Sequence, residues 1–184
     1  MLERPVIKTN TRGERFVLFF RPYEVNGVCS NWYKSNFTSK HGVKFNCTEQ
    51  YLMYEKAKLF KDEEVANEIL KETNPKEMKA YGRKVKNYDD KLWACNRYGT
   101  MIQGLYDKFS QNQELKDWII LAECEHFVEC SPYDGIWGIK TPMDSEDCLY
   151  PERWNGENWL GKCLDDVRGI IMAGVNHHKN MGEL

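Results

Sequence analysis

Residues 48–60 read TEQYLMYEKAKLF, and two of them, Glu49 and Lys56, are of types that do chemistry together. Wound as a helix at about 100° per residue, the stretch gathers Leu52, Met53, Leu59 and Phe60 into one apolar stripe. Glu49 and Lys56 fall inside that stripe, seven residues apart. That separation is nearly two turns, or about 10.5 Å along one face. An amine walled by Leu, Met and Phe is desolvated, which lowers its pKa and frees its lone pair for attack on a carbonyl-like carbon. A carboxylate on the same wall can donate or accept a proton at a sugar hydroxyl or ring oxygen. The spacing permits a substrate between them rather than a direct ion pair. Each residue also has a plain structural explanation. Asn46 and Glu49 have the spacing of a capping box, and the Lys56 stem can lie along the core while its ammonium reaches water.

Two further segments carry candidate chemistry. In Tyr133-Asp134-Gly135-Ile136-Trp137-Gly138, Asp-Gly signals a turn, so either a tight turn with a packed Trp forms there, or Asp134 stands at a strand end with Trp137 against a flat ring. In WNGENWLGK (154–162), a helix start with glycines attracts phosphate through free backbone amides, although the pattern is neither a Walker loop nor a dinucleotide fingerprint. An ordinary helix start is the alternative. Arg83 in YGRKV is either a phosphate ligand or a solvated helix end. His177-His178 lacks converging partners, the seven Cys lack metal-ligand spacing, and no GxSxG elbow occurs; zinc and serine-hydrolase chemistry are not expected.

These residues need elements to hold them. ERFVLFF (14–20) reads as a strand and 22–37 as a polar loop carrying Ser30, Asn31 and Trp32. The helix bearing Glu49 and Lys56 is expected to start at Asn46 and to break near Lys61-Asp62, with a second helix over 62–73. Asn74-Pro75 stops that helix and starts another. Asp89 or Asp90 opens a longer one to about Gln111, with Leu92, Met101, Leu105 and Phe109 on its inner side. A short helix over 114–123 and a strand over 126–130 follow, then an irregular stretch from Thr141 to Gly156 that reads as a surface loop or lid. A last helix from Trp159 to Met172 shows Leu160, Leu164, Val167 and Ile171 at helical steps, and 173–184 reads as a loose tail. The fold class is α+β: a mostly helical single domain over 1–184, core about 16–172, with a small sheet.

Composition narrows the function classes. A chain of 184 residues suits one domain with a sizeable core, and six Trp, ten Tyr and eight Phe can furnish that core or a pocket. A net charge of −2 exerts no global pull toward nucleic acid or anionic membrane. No apolar run approaches a membrane span, the opening MLERPVIKTN lacks a signal-peptide core, and seven scattered Cys without a CxxC pair fit reduced thiols. A soluble cytoplasmic protein is the expectation.

Several of these segments, taken in order, resemble the NADAR family of YbiA-like N-glycosidases. The resemblance runs from about Phe19 to Arg168 and is carried by Ser30-Asn31-Trp32, Glu49-Gln50-Tyr51, Lys56-Ala57, Tyr81-Gly82-Arg83, Trp93, Met101, Lys108-Phe109, Val128-Glu129, Asp134, Trp137-Gly138, Gly156-x-Asn158-x-Leu160-Gly161 and Arg168. It implies a YbiA-like fold and cleavage of an N-glycosidic bond between ribose and a base or amine. The substrate it implies is a small ribosyl nucleotide or an ADP-ribosylated guanine in nucleic acid, with no cofactor. The family's Schiff-base lysine aligns with Lys56, its helix-start glutamate with Glu49, and its acid before Trp-Gly with Asp134. The implied substrate-binding set is Ser30, Asn31, Arg83, Trp93, Trp137, Gly138, Asn158 and Gly161. Three departures are visible: the usual His after the glutamate is Gln50, the common Ser-Asn-Phe is Ser30-Asn31-Trp32, and the 140–152 segment is longer than in compact members. The alternatives are a non-catalytic ADP-ribose or nucleotide-binding module, and an interaction protein using the 140–156 loop.

Overall fold

A computed structural model describes residues 2–182. The chain gathers into two compact units, one running to Ser30 and resuming at Gln113, the other spanning Asn31–Asn112.

The first unit is built on a three-stranded sheet. β1 (Lys8–Thr9) pairs antiparallel with β2 (Arg15–Phe19), and β2 pairs parallel with β5 (His126–Glu129), with Phe16 opposite His126 and Phe19 opposite Glu129. β2 is the central strand, and Phe16, Val17, Leu18 and Phe19 are all buried, as both faces of a covered strand require. On one side Phe16 and Leu18 join Val128, Cys130, Ile139 and Cys148 in an apolar cluster. α5 (Gln113–Leu121) and α6 (Trp159–Gly182) complete the unit, with α6 packed on both β5 and α5. The four apolar residues expected on α6 are buried.

Of the loose tail expected over 173–184, residues 173–182 are helical instead, and 183–184 lie outside the described residues. α6 continues past Met172 to Gly182, because no proline interrupts it and backbone hydrogen bonding extends beyond the apolar stripe. The 141–156 stretch is the irregular, mostly surface segment expected, pinned down at a few points. It forms two 3-10 turns, Glu146–Leu149 and Pro151–Arg153, while Met143, Leu149 and Trp154 pack against the cluster and the Trp154 indole donates to Cys148 O.

The second unit is helical, with a two-stranded ribbon of β3 (Phe37–Thr38) and β4 (Lys44–Phe45). Its helices are α1 (Thr48–Leu59), α2 (Glu63–Lys71), α3 (Pro75–Gly82) and α4 (Asp90–Gln111); α1 is central, packing against the other three. The starts of α2, α3 and α4 follow their caps. Asp62 accepts from Val65 N, Asn74 from Lys76 N with Pro75 first in the helix, and Asp89 from Leu92 N. On α4, Met101, Leu105 and Phe109 face inward as expected, but Leu92 is exposed and Trp93 takes the buried place in the first turn. Among the described residues, no helix is long and apolar enough to cross a membrane.

Candidate active site

α1 does not begin as the capping-box spacing predicts. Cys47, in extended conformation, stands at the N-cap, so Glu49 is the second helical residue and Gln50 the third. The side chain that reaches back is Gln50, whose Oε1 accepts from Asn46 N at 2.8 Å. Its Nε2 donates to the C-terminal carbonyls of α2 at Ile69 (2.9 Å) and Glu72 (3.1 Å). Gln50, where the family usually has His, is therefore a tie between α1 and α2. Glu49 is the acid of the first turn of α1, is 5 % exposed, and its backbone N–H donates to Asn31 O at 3.0 Å. That bond brings Asn31 to the positive end of the α1 dipole. The Asn31 side-chain Oδ1 is buried and meets no donor among the described residues, an uncommon condition for a native polar atom.

Lys56 lies two turns further along. Met53, one turn before it, packs so closely on Gly82 that a Cβ there would sit 2.1 Å from the Met53 sulfur. This contact brings the end of α3 onto α1, and Lys56 Nζ donates to Gly82 O at 2.8 Å. The ammonium also lies 4.3 Å from the Tyr88 ring centre and 5.9 Å from that of Trp93. Lys56 is half-buried, and its pKa is lowered, first by burial and then by the neighbouring Arg83 charge, with Asp90 opposing. Arg83 itself is exposed at the C-cap of α3. In this unit Glu49, Lys56, Asn31 and Trp93 thus stand on or against one helix, as an acid, an amine, an amide and an aromatic face.

The candidates in the strand-bearing unit are used differently. Asp134 Oδ1 accepts from Ile136 N (3.0 Å) and Trp137 N (2.9 Å), closing the turn that Asp-Gly predicts. Trp137 is half-buried and packs edge-on against Trp159, with centroids 6.2 Å apart. A Cβ on Gly138 would meet Glu129 O at 2.8 Å, so this glycine lets the turn lie against β5. Ser30 is buried, and its N–H donates to Gly27 O. Asn158, 2 % exposed, donates through Nδ2 to Phe127 O at 2.8 Å and accepts at Oδ1 from Glu129 N at 3.0 Å. Its amide joins α6 to β5. A Cβ on Gly161 would sit 2.0 Å from Phe127 O, so that glycine serves the same approach.

The α6 start is not the open phosphate cradle that the glycines predict. The N–H groups of Glu157, Asn158, Trp159 and Leu160 donate to the carbonyls of Gly135, Gly138, Ile136 and Trp137. The 135–138 turn fills the place an anion would take. This unit also holds a cavity of about 420 Å³, lined in part by Lys8, Leu18, Phe20, Arg21, Cys130 and Met143; none of the sequence-predicted residues lines it.

The fold is α+β with a YbiA-type architecture: the solution structure of the Escherichia coli protein YbiA superposes with a TM-score of 0.71, at 23 % identity and over 86 % of each chain. A NADAR domain model matches residues 18–172, and the chain belongs to the NADAR domain family. Among named relatives, the protein irg-1 of Caenorhabditis elegans is 39 % identical over 178 residues, covering 89 % of this chain and 82 % of its own. An N-glycosidase of Acanthamoeba polyphaga mimivirus is 30 % identical over 145 residues, covering 77 % of this chain and 85 % of its own.

Proposed function

We propose that the protein is an N-glycosidase that hydrolyses the bond joining an ADP-ribosyl or phosphoribosyl group to a base or amine, through a Schiff base on Lys56. The observation that carries this reading is the Lys56 amine itself, half-buried against aromatic rings with a lowered pKa, on a helix whose first turn also holds the buried Glu49. Membership in a family with an N-glycosidase relative supports the same chemistry.

In the proposed reaction the neutral Lys56 amine attacks the anomeric carbon. The bond from that carbon to the base breaks, and the base leaves with its electron pair and a proton delivered by Glu49. The attacking nitrogen then loses a proton, the ring oxygen gains one and the sugar opens to an imine. Water adds to the imine carbon and expels the lysine, returning ADP-ribose or ribose phosphate and the free amine of Lys56. Charge gathers on the sugar in the transition state, where a carboxylate such as Glu49 stabilises it. Trp93 supplies a stacking face for the base, Asn31 Oδ1 an acceptor for a ribose hydroxyl, and Arg83 a partner for phosphate. For Asp134 a role in orienting a hydroxyl or activating water rests on the family's acid before Trp-Gly alone.

The test is product identity. The protein is incubated with ADP-ribosylated DNA, with NAD and with a ribosylaminouracil phosphate, and the released base is weighed by mass spectrometry. Release of base from at least one supports the reading. Tight binding of ADP-ribose with no release from any of the three contradicts it.

A further inference from the structure

Lys56 is enclosed by more than its own helix. Tyr88, whose ring centre lies 4.3 Å from Nζ, is 44 % exposed on the connection between α3 and α4. Asn87 before it is left-handed (φ 54°), and Asp89 after it caps α4. An exposed tyrosine usually has freedom to turn, but this one is held on two sides. Its hydroxyl donates to Asp90 Oδ1 at 2.8 Å, and its ring meets Phe60 edge-on with centroids 5.3 Å apart. Phe60 is itself buried at the end of α1.

The geometry points to Tyr88 as a positioning residue for Lys56, its ring anchored through Asp90 and Phe60 so that the amine is pinned against the Gly82 carbonyl. The inference deepens the N-glycosidase reading and rests on it for its kinetic consequence. A ring face attracts an ammonium more than a neutral amine, and the hydrogen bond to Asp90 adds electron density to the phenol. The other groups acting on Lys56 are Arg83 from the end of α3, which disfavours the proton, and Asp90 from α4, which favours it, with burial as the largest force against it. Tyr88 opposes that burial. It holds the amine charged and in one place at rest, while burial and Arg83 keep its proton easy to remove once a sugar occupies the site.

Two variants separate ring from tether. Tyr88→Leu keeps apolar cover and removes the ring face; Tyr88→Phe keeps the face and removes the hydroxyl. Trace acetylation with acetic anhydride across the neutral to alkaline range, read by mass spectrometry, follows the proton on Lys56 without any substrate. Lys61, exposed just beyond α1, serves as the internal reference. Tyr88→Leu is expected to move the Lys56 midpoint down by roughly half a unit to one unit, with Tyr88→Phe moving it less than half as far and Lys61 unmoved in both. With a substrate that wild type cleaves, Tyr88→Leu is expected to lower kcat about tenfold at nearly constant KM, since a loosened amine hurts attack more than binding. A Lys56 midpoint that stays put in Tyr88→Leu, or that moves equally in Tyr88→Phe, overturns the inference. The two readings fail separately: a midpoint that shifts as expected in a protein releasing no base removes the glycosidase alone, whereas base release with an unmoved midpoint removes the role of Tyr88 alone.

Discussion

Glu49 and Asp134 are both acids beside a turn or helix start, yet the structure employs them in opposite ways. Asp134 receives two backbone N–H groups and closes the 134–137 turn, and further on Asn158 and the amides of 157–160 are all joined to backbone. On α1 the reach-back duty passes to Gln50, while Glu49 is buried in the first turn and Lys56 stands half-buried two turns on, against the Tyr88 and Trp93 rings. The contrast teaches how to weigh such residues. In a stretch rich in Asp, Asn and Gly the backbone claims polar side chains first, and a polar group on an apolar helix face is the stronger sign of chemistry.

The contrast predicts that removing the Lys56 amine costs activity and that breaking the Asn158 tie costs stability. Lys56→Ala should lower base release by about a thousandfold or more while leaving urea denaturation nearly unchanged. Asn158→Ala should do the reverse. It leaves Phe127 O and Glu129 N without their partners, at a cost of about 3 kcal/mol in urea denaturation, while the folded fraction keeps its turnover. Equal losses of activity in the two variants would erase the distinction.

A third prediction concerns pH and the anchoring of α6. The Asp165 carboxyl is pushed up to about 7 by burial, against the pull of Arg168 and of the Phe127 N–H. An unfolded aspartate loses its proton near pH 3.9, so between that value and about 7 the folded state holds a proton that the unfolded state has released. Stability therefore falls as pH rises through that window. Asp165→Asn should remove roughly 2 kcal/mol of this difference between about pH 4 and pH 8, the full linkage being discounted for the partial exposure of the group. The smallest expected effect is that of Asp134→Asn on folding. The amide keeps the acceptor oxygen and the turn, so stability should change by less than about 0.5 kcal/mol. Any loss of turnover in that variant then belongs to the missing charge.

Much of this arrangement was legible in the residues. Asn74-Pro75 and Asp89 mark helix starts through local hydrogen bonds that need no distant partner, and the stripe of Met101, Leu105 and Phe109 reports its own buried face. What stayed hidden depends on distant contacts. Gln50 could be assigned only with the end of α2 beside it, some 20 residues on. The glycines of 156–161 signal close approach without saying whether ligand or backbone approaches, and in this fold the 135–138 turn does. Leu92 lies nine residues before Met101, about 180° around α4 from it, so it could not share the buried face, whereas Trp93 lies nearer that face and takes the place. The aromatic cover on Lys56 comes from residues 32 and 37 positions away, which no helical period on α1 can reveal.

The central claim is that Lys56 becomes bonded to the sugar, and reduction during turnover tests it most directly. Borohydride added to the protein while it is releasing base should convert the imine to a stable secondary amine. Peptide mass spectrometry should then place one ribosyl adduct on Lys56 and none on Lys58 or Lys61. Undiminished base release with no adduct on Lys56 would show water attacking the sugar directly, and would contradict the covalent route through this lysine.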